Sequence, residues 1–166
     1  LKTTFLSEFC DCDAAPHVSE RKTLWTGLAM KTGRCECGAV KYRSAGPWRH
    51  IIACHCRQCR RLSGHHWAAT AVPAEALEFT EDAGLVWRRS SDFAQRGFCR
   101  NCGSIMFYQH DDKDYIAIGA GTLDDTKGLQ FVEEVFTGDK GDYYGLSPDT
   151  IHSGDWSKAW SGTKQS

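Results

Sequence analysis

The sequence has only four prolines and two methionines, and no stretch approaches 18 uninterrupted apolar residues, so no membrane-spanning helix is predicted. The first thirty residues lack the basic start and apolar run of a secretory leader. That absence predicts a cytoplasmic protein whose thiols stay reduced. No segment of 12 or more residues carries a convincing 3.6-residue period, and neither an internal repeat nor a low-complexity tract is present. A helical bundle is thereby excluded. Acidic residues are missing between Cys37 and Glu75, where Lys41, Arg43, Arg49, Arg57, Arg60 and Arg61 all fall. From Asp111 to the end, eleven carboxylates face five lysines, and the whole chain sums to a net charge of −1. The basic stretch would concentrate an anionic substrate; the same arginines can equally offset thiolate charge or pair with the acidic C-terminal half. A nucleic-acid surface needs a larger positive excess, so no nucleic-acid partner is expected.

Cysteine is what the chain does have. Seven of its nine cysteines form three tight clusters: Cys35 and Cys37; Cys54, Cys56 and Cys59; Cys99 and Cys102. In a reducing compartment such spacing holds metal more often than disulfides, and an odd total argues against complete internal pairing. Structural zinc saturates at four protein ligands, whereas zinc that does chemistry keeps three and an open position. Cys99-Arg100-Asn101-Cys102-Gly103 has the form of a zinc knuckle. In extended chain, residues i and i+2 share a face, so Cys35 and Cys37 can meet one ion while Glu36 points away. These two pairs supply four thiolates and close a structural shell.

Cys54-His55-Cys56-Arg57-Gln58-Cys59 can bring three sulfurs to a second ion from one short loop. The alternative pairs Cys56 and Cys59 with Cys35 and Cys37 and leaves the other cysteines inert. His55 is a chemically good fourth ligand, but alternation turns its ring away from the flanking sulfurs. One of His65 and His66 can face the site as proton acceptor, though packing or surface roles suit them as well. Trp48, Trp67 and Phe107 read as core. Cys10 and Cys12 offer only two ligands.

The elements read as strand and turn. Strands are predicted at Gly38–Arg43, Trp48–Ala53, His65–Val72, Phe93–Phe98, Ser104–Gln109, Tyr115–Ile118 and Gln130–Glu133, with a single helical turn at Pro73–Leu77. Leu77–Thr80 and Leu85–Arg88 are predicted to form a hairpin around Asp82-Ala83-Gly84. The expectation is a single all-β domain, mainly antiparallel and stapled by zinc.

Three motifs now carry a resemblance: Gly33-Arg34-Cys35-Glu36-Cys37-Gly38-Ala39-Val40, Cys54-His55-Cys56-Arg57-Gln58-Cys59-Arg60-Arg61-Leu62-Ser63-Gly64, and Phe98-Cys99-Arg100-Asn101-Cys102-Gly103-Ser104. Gly121-Thr122-Leu123-Asp124 and Gly138-Asp139-Lys140-Gly141-Asp142-Tyr143-Tyr144 match more softly. Together they resemble the glutathione-dependent formaldehyde-activating family, whose domain is shared with centromere protein V. The resemblance implies a domain over 30–146, an N-terminal arm or upstream extension over 1–29 and a tail over 147–166. It implies two zinc ions, one structural on Cys35, Cys37, Cys99 and Cys102, the other open on Cys54, Cys56 and Cys59. The activity it implies is condensation of glutathione with formaldehyde, formally a carbon–sulfur lyase reaction run in reverse, on a small-molecule thiol and aldehyde. Three thiolates on a divalent ion leave a charge of −1, which favours a further sulfur ligand over zinc hydroxide. The rival expectations are a non-catalytic zinc module that binds a protein or carries a thiol, and a redox protein using Cys56 and Cys59.

Overall fold

The computed structural model describes residues 25–154, so Cys10 and Cys12 lie outside the described residues. The protein is all-β. Its strands are β1 (Lys31–Arg34), β2 (Lys41–Ser44), β3 (Ile51–Cys54), β4 (Trp67–Pro73), β5 (Leu77–Glu81), β6 (Leu85–Ser91), β7 (Ala94–Cys99), β8 (Ile105–His110), β9 (Tyr115–Gly119), β10 (Phe131–Val135) and β11 (Ile151–Ser153). One seven-residue helix, α1 (Arg57–Ser63), follows β3. A small antiparallel sheet has the order β1-β2-β5, and a large sheet has the order β11-β10-β3-β4-β9-β8-β7-β6. The large sheet is antiparallel except at one end, where β10 runs parallel to both β3 and β11. Among the described residues no helix is long and apolar enough to cross a membrane.

The large sheet has two buried faces, because successive strand residues point to opposite sides. Along β9, Tyr115 and Ala117 join one core with Cys54, Cys59, Trp67 and Tyr108. Ile116 and Ile118 join the other, with Cys35, Cys99, Tyr42, Trp48 and Phe107. The second core fills the space against the small sheet, and the first packs beneath α1. Cys54 and Cys59 therefore belong to one core, and Cys35 and Cys99 to the other.

Three expectations need correction. Leu77–Thr80 and Leu85–Arg88 are strands but not a hairpin: β5 pairs with β2, and β6 pairs with β7. The Asp82-Ala83-Gly84 corner does turn, with the Leu85 N–H donating to Asp82 O, but it hands the chain from the small sheet to the large one. The Gly84 N–H donates to Ala39 O, and Gly84 O accepts from the Arg100 N–H, so this corner is bonded to both cysteine turns. A Cβ on Gly84 would stand 2.8 Å from Ala39 Cβ and 3.1 Å from Cys99 Sγ, which is why the corner needs glycine. Gly38–Val40 is turn rather than strand, with regular pairing from Lys41. Finally, the three-cysteine run is not one loop, because α1 begins at Arg57 and carries Cys59. Seven residues are too few for a periodic signal, which is why sequence pattern missed this helix. Pro73–Leu77 is a turn of 3-10 helix at Ala74–Ala76, close to expectation.

Candidate metal centres

The Cys35, Cys37, Cys99 and Cys102 sulfurs all lie within 4.8 Å of one another. Cys35 and Cys37 follow β1, and Cys99 and Cys102 form the turn between β7 and β8. Cys35 and Cys99 are buried, whereas Cys37 is exposed. Gly103 takes a left-handed φ of 76°, which lets the Gly103 N–H turn back to Cys99 O. Sγ of Cys102 sits 3.2 Å from Ser104 Oγ; that hydroxyl and backbone N–H groups lower the Cys102 thiol to about 6. Four sulfurs, with no carboxylate or histidine among them, make a soft donor set suited to zinc.

The second group is Cys54, Cys56 and Cys59, again with all sulfurs within 4.8 Å. Cys54 ends β3, where Val135 of β10 and Trp67 of β4 flank it. Cys56 caps α1, its Sγ accepting from the Cys59 N–H at 3.4 Å. Cys59 lies on the inward face of the helix and is buried. In the metal-free group, hydrogen bonds from Cys54 and Cys59 lower the Cys56 thiol to about 2, while the same neighbours and burial push Cys54 up. Burial and mutual hydrogen bonding thus work against three separate thiolates, and a divalent ion would displace the protons that remain. All seven clustered cysteines are free thiols.

His55 faces away from the sulfurs, as alternation requires. Its Nδ1 is 2.7 Å from Tyr144 Oη, and its Nε2 is 2.8 Å from Glu134 Oε2. Glu134 Oε1 accepts from the Ser147 N–H at 2.7 Å and from Thr150 Oγ1 at 2.8 Å. Burial works against ionisation of Glu134, but these donors and His55 outweigh it and hold its pKa down. Burial dominates at His55 and lowers its pKa despite Glu134. His65 and His66 pack on this same network: His66 has its ring 5.1 Å from His55, and His65 lies 4.0 Å from Tyr144. Since the His55 N–H also donates to Val135 O, the Cys54–Cys56 backbone is anchored from two sides. Glu134→Ala would strand the buried His55 Nε2 and the half-buried Ser147 and Thr150 donors, and is expected to cost about 3 kcal/mol of stability. Urea unfolding checks the stability, and metal retention by the three-cysteine group is expected to weaken with it.

The three sulfurs open onto a cavity of about 260 Å³ lined also by Gln58, Trp67, Ser91, Phe93, Arg96, Tyr108 and Phe136. Trp67 therefore serves both core and cavity wall, while Trp48 and Phe107 are wholly buried core. Arg96 is only 6 % exposed. Its Nη2 donates to Cys59 Sγ at 3.4 Å and to Gln58 Oε1 at 3.1 Å. Sequence reasoning missed Arg96 and Glu134. The available signal was strand alternation: Arg96 shares a face with buried Ala94, and at least one carboxylate of Phe131-Val132-Glu133-Glu134-Val135 must point inward.

The basic stretch divides. Arg43 forms a two-pronged pair with Glu78 of β5, and Arg49 is fully buried beside Tyr115. Arg57, Arg60 and Arg61 instead line a recess of about 390 Å³ with Tyr143, outside α1. Among the described residues none of these three has a carboxylate within 4.0 Å.

A small β protein that gathers seven free thiols into one group of four and one of three has two donor sets that could each hold a metal ion. The chain belongs to the family described as glutathione-dependent formaldehyde-activating enzyme, which it matches over residues 30–139. It is 28% identical over 120 residues to an uncharacterized lyase of Schizosaccharomyces pombe, the alignment covering 71% of this chain and 86% of that protein. Its fold is similar to the crystal structure of a Rhodobacter sphaeroides protein, with a TM-score of 0.51 and 19% identity over 74% of this chain and 98% of the other.

Proposed function

We propose that the protein is a zinc-dependent carbon–sulfur lyase-type enzyme that makes and breaks thiol–aldehyde adducts, with glutathione or a similar thiol as one partner. The observation that carries this reading is the inequality of the two groups: four sulfurs gathered together in one, and three beside a cavity in the other. Cys35, Cys37, Cys99 and Cys102 would hold a structural ion, and Cys54, Cys56 and Cys59 a second. A zinc ion held by three thiolates supplies a soft position for one further sulfur.

The protein's own residues do the remaining work. Trp67, Phe93, Tyr108 and Phe136 exclude water and confine the carbonyl beside the sulfurs. Arg96 offsets thiolate charge at Cys59. As the carbon–sulfur bond forms, the thiol proton is replaced on the product by one at the former carbonyl oxygen; cleavage reverses both changes. Arg57, Arg60 and Arg61 are suited to the carboxylates of a thiol peptide, since planar guanidinium groups match carboxylates.

Exchange NMR on an equilibrated glutathione–formaldehyde mixture tests the reading. Micromolar zinc-loaded protein is expected to speed exchange at least about tenfold over the spontaneous reaction, a change of about 1.4 kcal/mol in barrier. Replacing Arg57, Arg60 and Arg61 together by Gln should raise KM for glutathione and alter kcat little. Exchange at the spontaneous rate would leave a non-catalytic zinc module.

A further inference from the structure

Arg96 carries an unmet demand. It is 6 % exposed and borders the three-cysteine cavity, yet Nη1 has no hydrogen-bond partner among the described residues. Nε and Nη2 are both taken up by Gln58 Oε1, which Gln58 can offer because its own Nε2 is tied to Ser90 O. The guanidinium lies 4.8 Å from the Tyr108 ring and 5.4 Å from the Trp67 ring, so aromatic faces fix its plane. Ser91 Oγ, in the same cavity wall, is also buried without a partner. A buried donor without a partner is costly, and Nη1 is such a donor even though Nη2 already faces Cys59. Two unfilled donors beside apolar walls are what a small carboxylate requires.

We infer that the carbonyl partner is a small 2-oxo acid of the glyoxylate type, its carboxylate seated on Arg96 Nη1 and Ser91 Oγ. This rests on the thiol–aldehyde reading proposed above and narrows its substrate. Nη2 of Arg96 is 3.4 Å from Cys59 Sγ, so an anion on this guanidinium lies next to the sulfur group. Its charge must then be only a bond or two from the reacting carbon. Formaldehyde has no group for Arg96 to bind. The carboxylates of a peptide thiol are many bonds from its sulfur, and the arginine recess outside α1 is suited to them. The reaction balances without a further reagent: R–SH adds across the aldehyde C=O of OHC–COO⁻ to give R–S–CH(OH)–COO⁻. One carbon–sulfur bond forms, the oxygen gains the proton that sulfur gives up, and the carboxylate is unchanged.

Exchange NMR with glutathione and either glyoxylate or formaldehyde, on wild type, Arg96→Gln and Arg96→Lys, tests the choice of carbonyl. Wild type is expected to favour glyoxylate at least about tenfold in kcat/KM after correction for the spontaneous rates. That ratio should fall at least about 30-fold in Arg96→Gln and partly recover in Arg96→Lys. An unchanged ratio would make Arg96 a counter-charge to the thiolates only and overturn the inference. Calorimetric titration of the zinc-loaded protein with glycolate, an unreactive carboxylate, gives a readout apart from turnover. Glycolate should bind wild type and lose at least about tenfold affinity in Arg96→Gln; ethylene glycol should not bind. Arg96-dependent glycolate binding without turnover of any adduct would defeat the enzymatic reading but keep the anion site. Turnover with glycolate binding absent, or indifferent to Arg96→Gln, would defeat the 2-oxo acid. Should Arg96→Gln fail to fold, the wild-type preference between glyoxylate and formaldehyde, and between glycolate and ethylene glycol, decides alone.

Discussion

Cys59→Ser is expected to lower turnover at least about 1,000-fold, roughly 4 kcal/mol in barrier, while zinc per chain falls from two to one. Among the described residues no fourth cysteine, histidine or carboxylate joins Cys54, Cys56 and Cys59 as a donor. Removing one sulfur leaves two, which cannot hold an ion against water and free thiols. Serine is close in size to cysteine but keeps its proton at neutral pH and is a poor ligand for a soft site. The fold should survive, because Cys59 sits in the first turn of a short helix and its neighbours in the core are unchanged. A thermal midpoint within about 5 °C of wild type, together with one zinc by elemental analysis, is therefore the expected background for lost activity. Full activity with one zinc would sink the assignment.

Cys99→Ser should do the opposite and strongly destabilise the folded state. Cys99 is fully buried, and its sulfur is 3.7 Å from Cys37 Sγ across 62 residues of chain. The group ties the turn after β1 to the turn between β7 and β8, and the Gly84 corner packs against it. The two sheets thus share one fastening. Structural zinc contributes on the order of 10 kcal/mol in small domains, comparable with the whole stability of an ordinary one. Losing even part of that should lower the thermal midpoint by about 15 °C or more, seen by circular dichroism and reproduced in wild type by a strong chelator. A melt within a few degrees of wild type would show that this group is not structural.

Much of this site was legible in the sequence because ligand spacing is a local property. Cys99 and Cys102 meet across a knuckle, and Cys35 and Cys37 across one turn, whatever the remaining fold does. The strands were legible from alternation, as at Tyr115–Ile118, where every second residue enters a different core. Pairing was less so. Asp82-Ala83-Gly84 has the composition of a hairpin turn, and only contact with Ala39 and Cys99 makes it a corner between sheets. Helix α1 is shorter than the pattern used to find helices. Arg96 and Glu134 were overlooked for a related reason: a charged residue in a strand is ordinarily read as outward-facing. What holds them inside is supplied by Gln58, Cys59 and Tyr108 for one, and by His55, Ser147 and Thr150 for the other. Those partners are distant in the chain.

The two cores on opposite faces of the large sheet also determine how the protein fails. Oxidation at Cys54, Cys56 or Cys59 can link those sulfurs to each other, but an intervening layer of backbone separates them from Cys35, Cys37, Cys99 and Cys102. Damage at the three-cysteine group would thereby be confined to one face of the sheet. A poisoned molecule would stay folded and remain open to repair by reducing thiols, instead of unravelling.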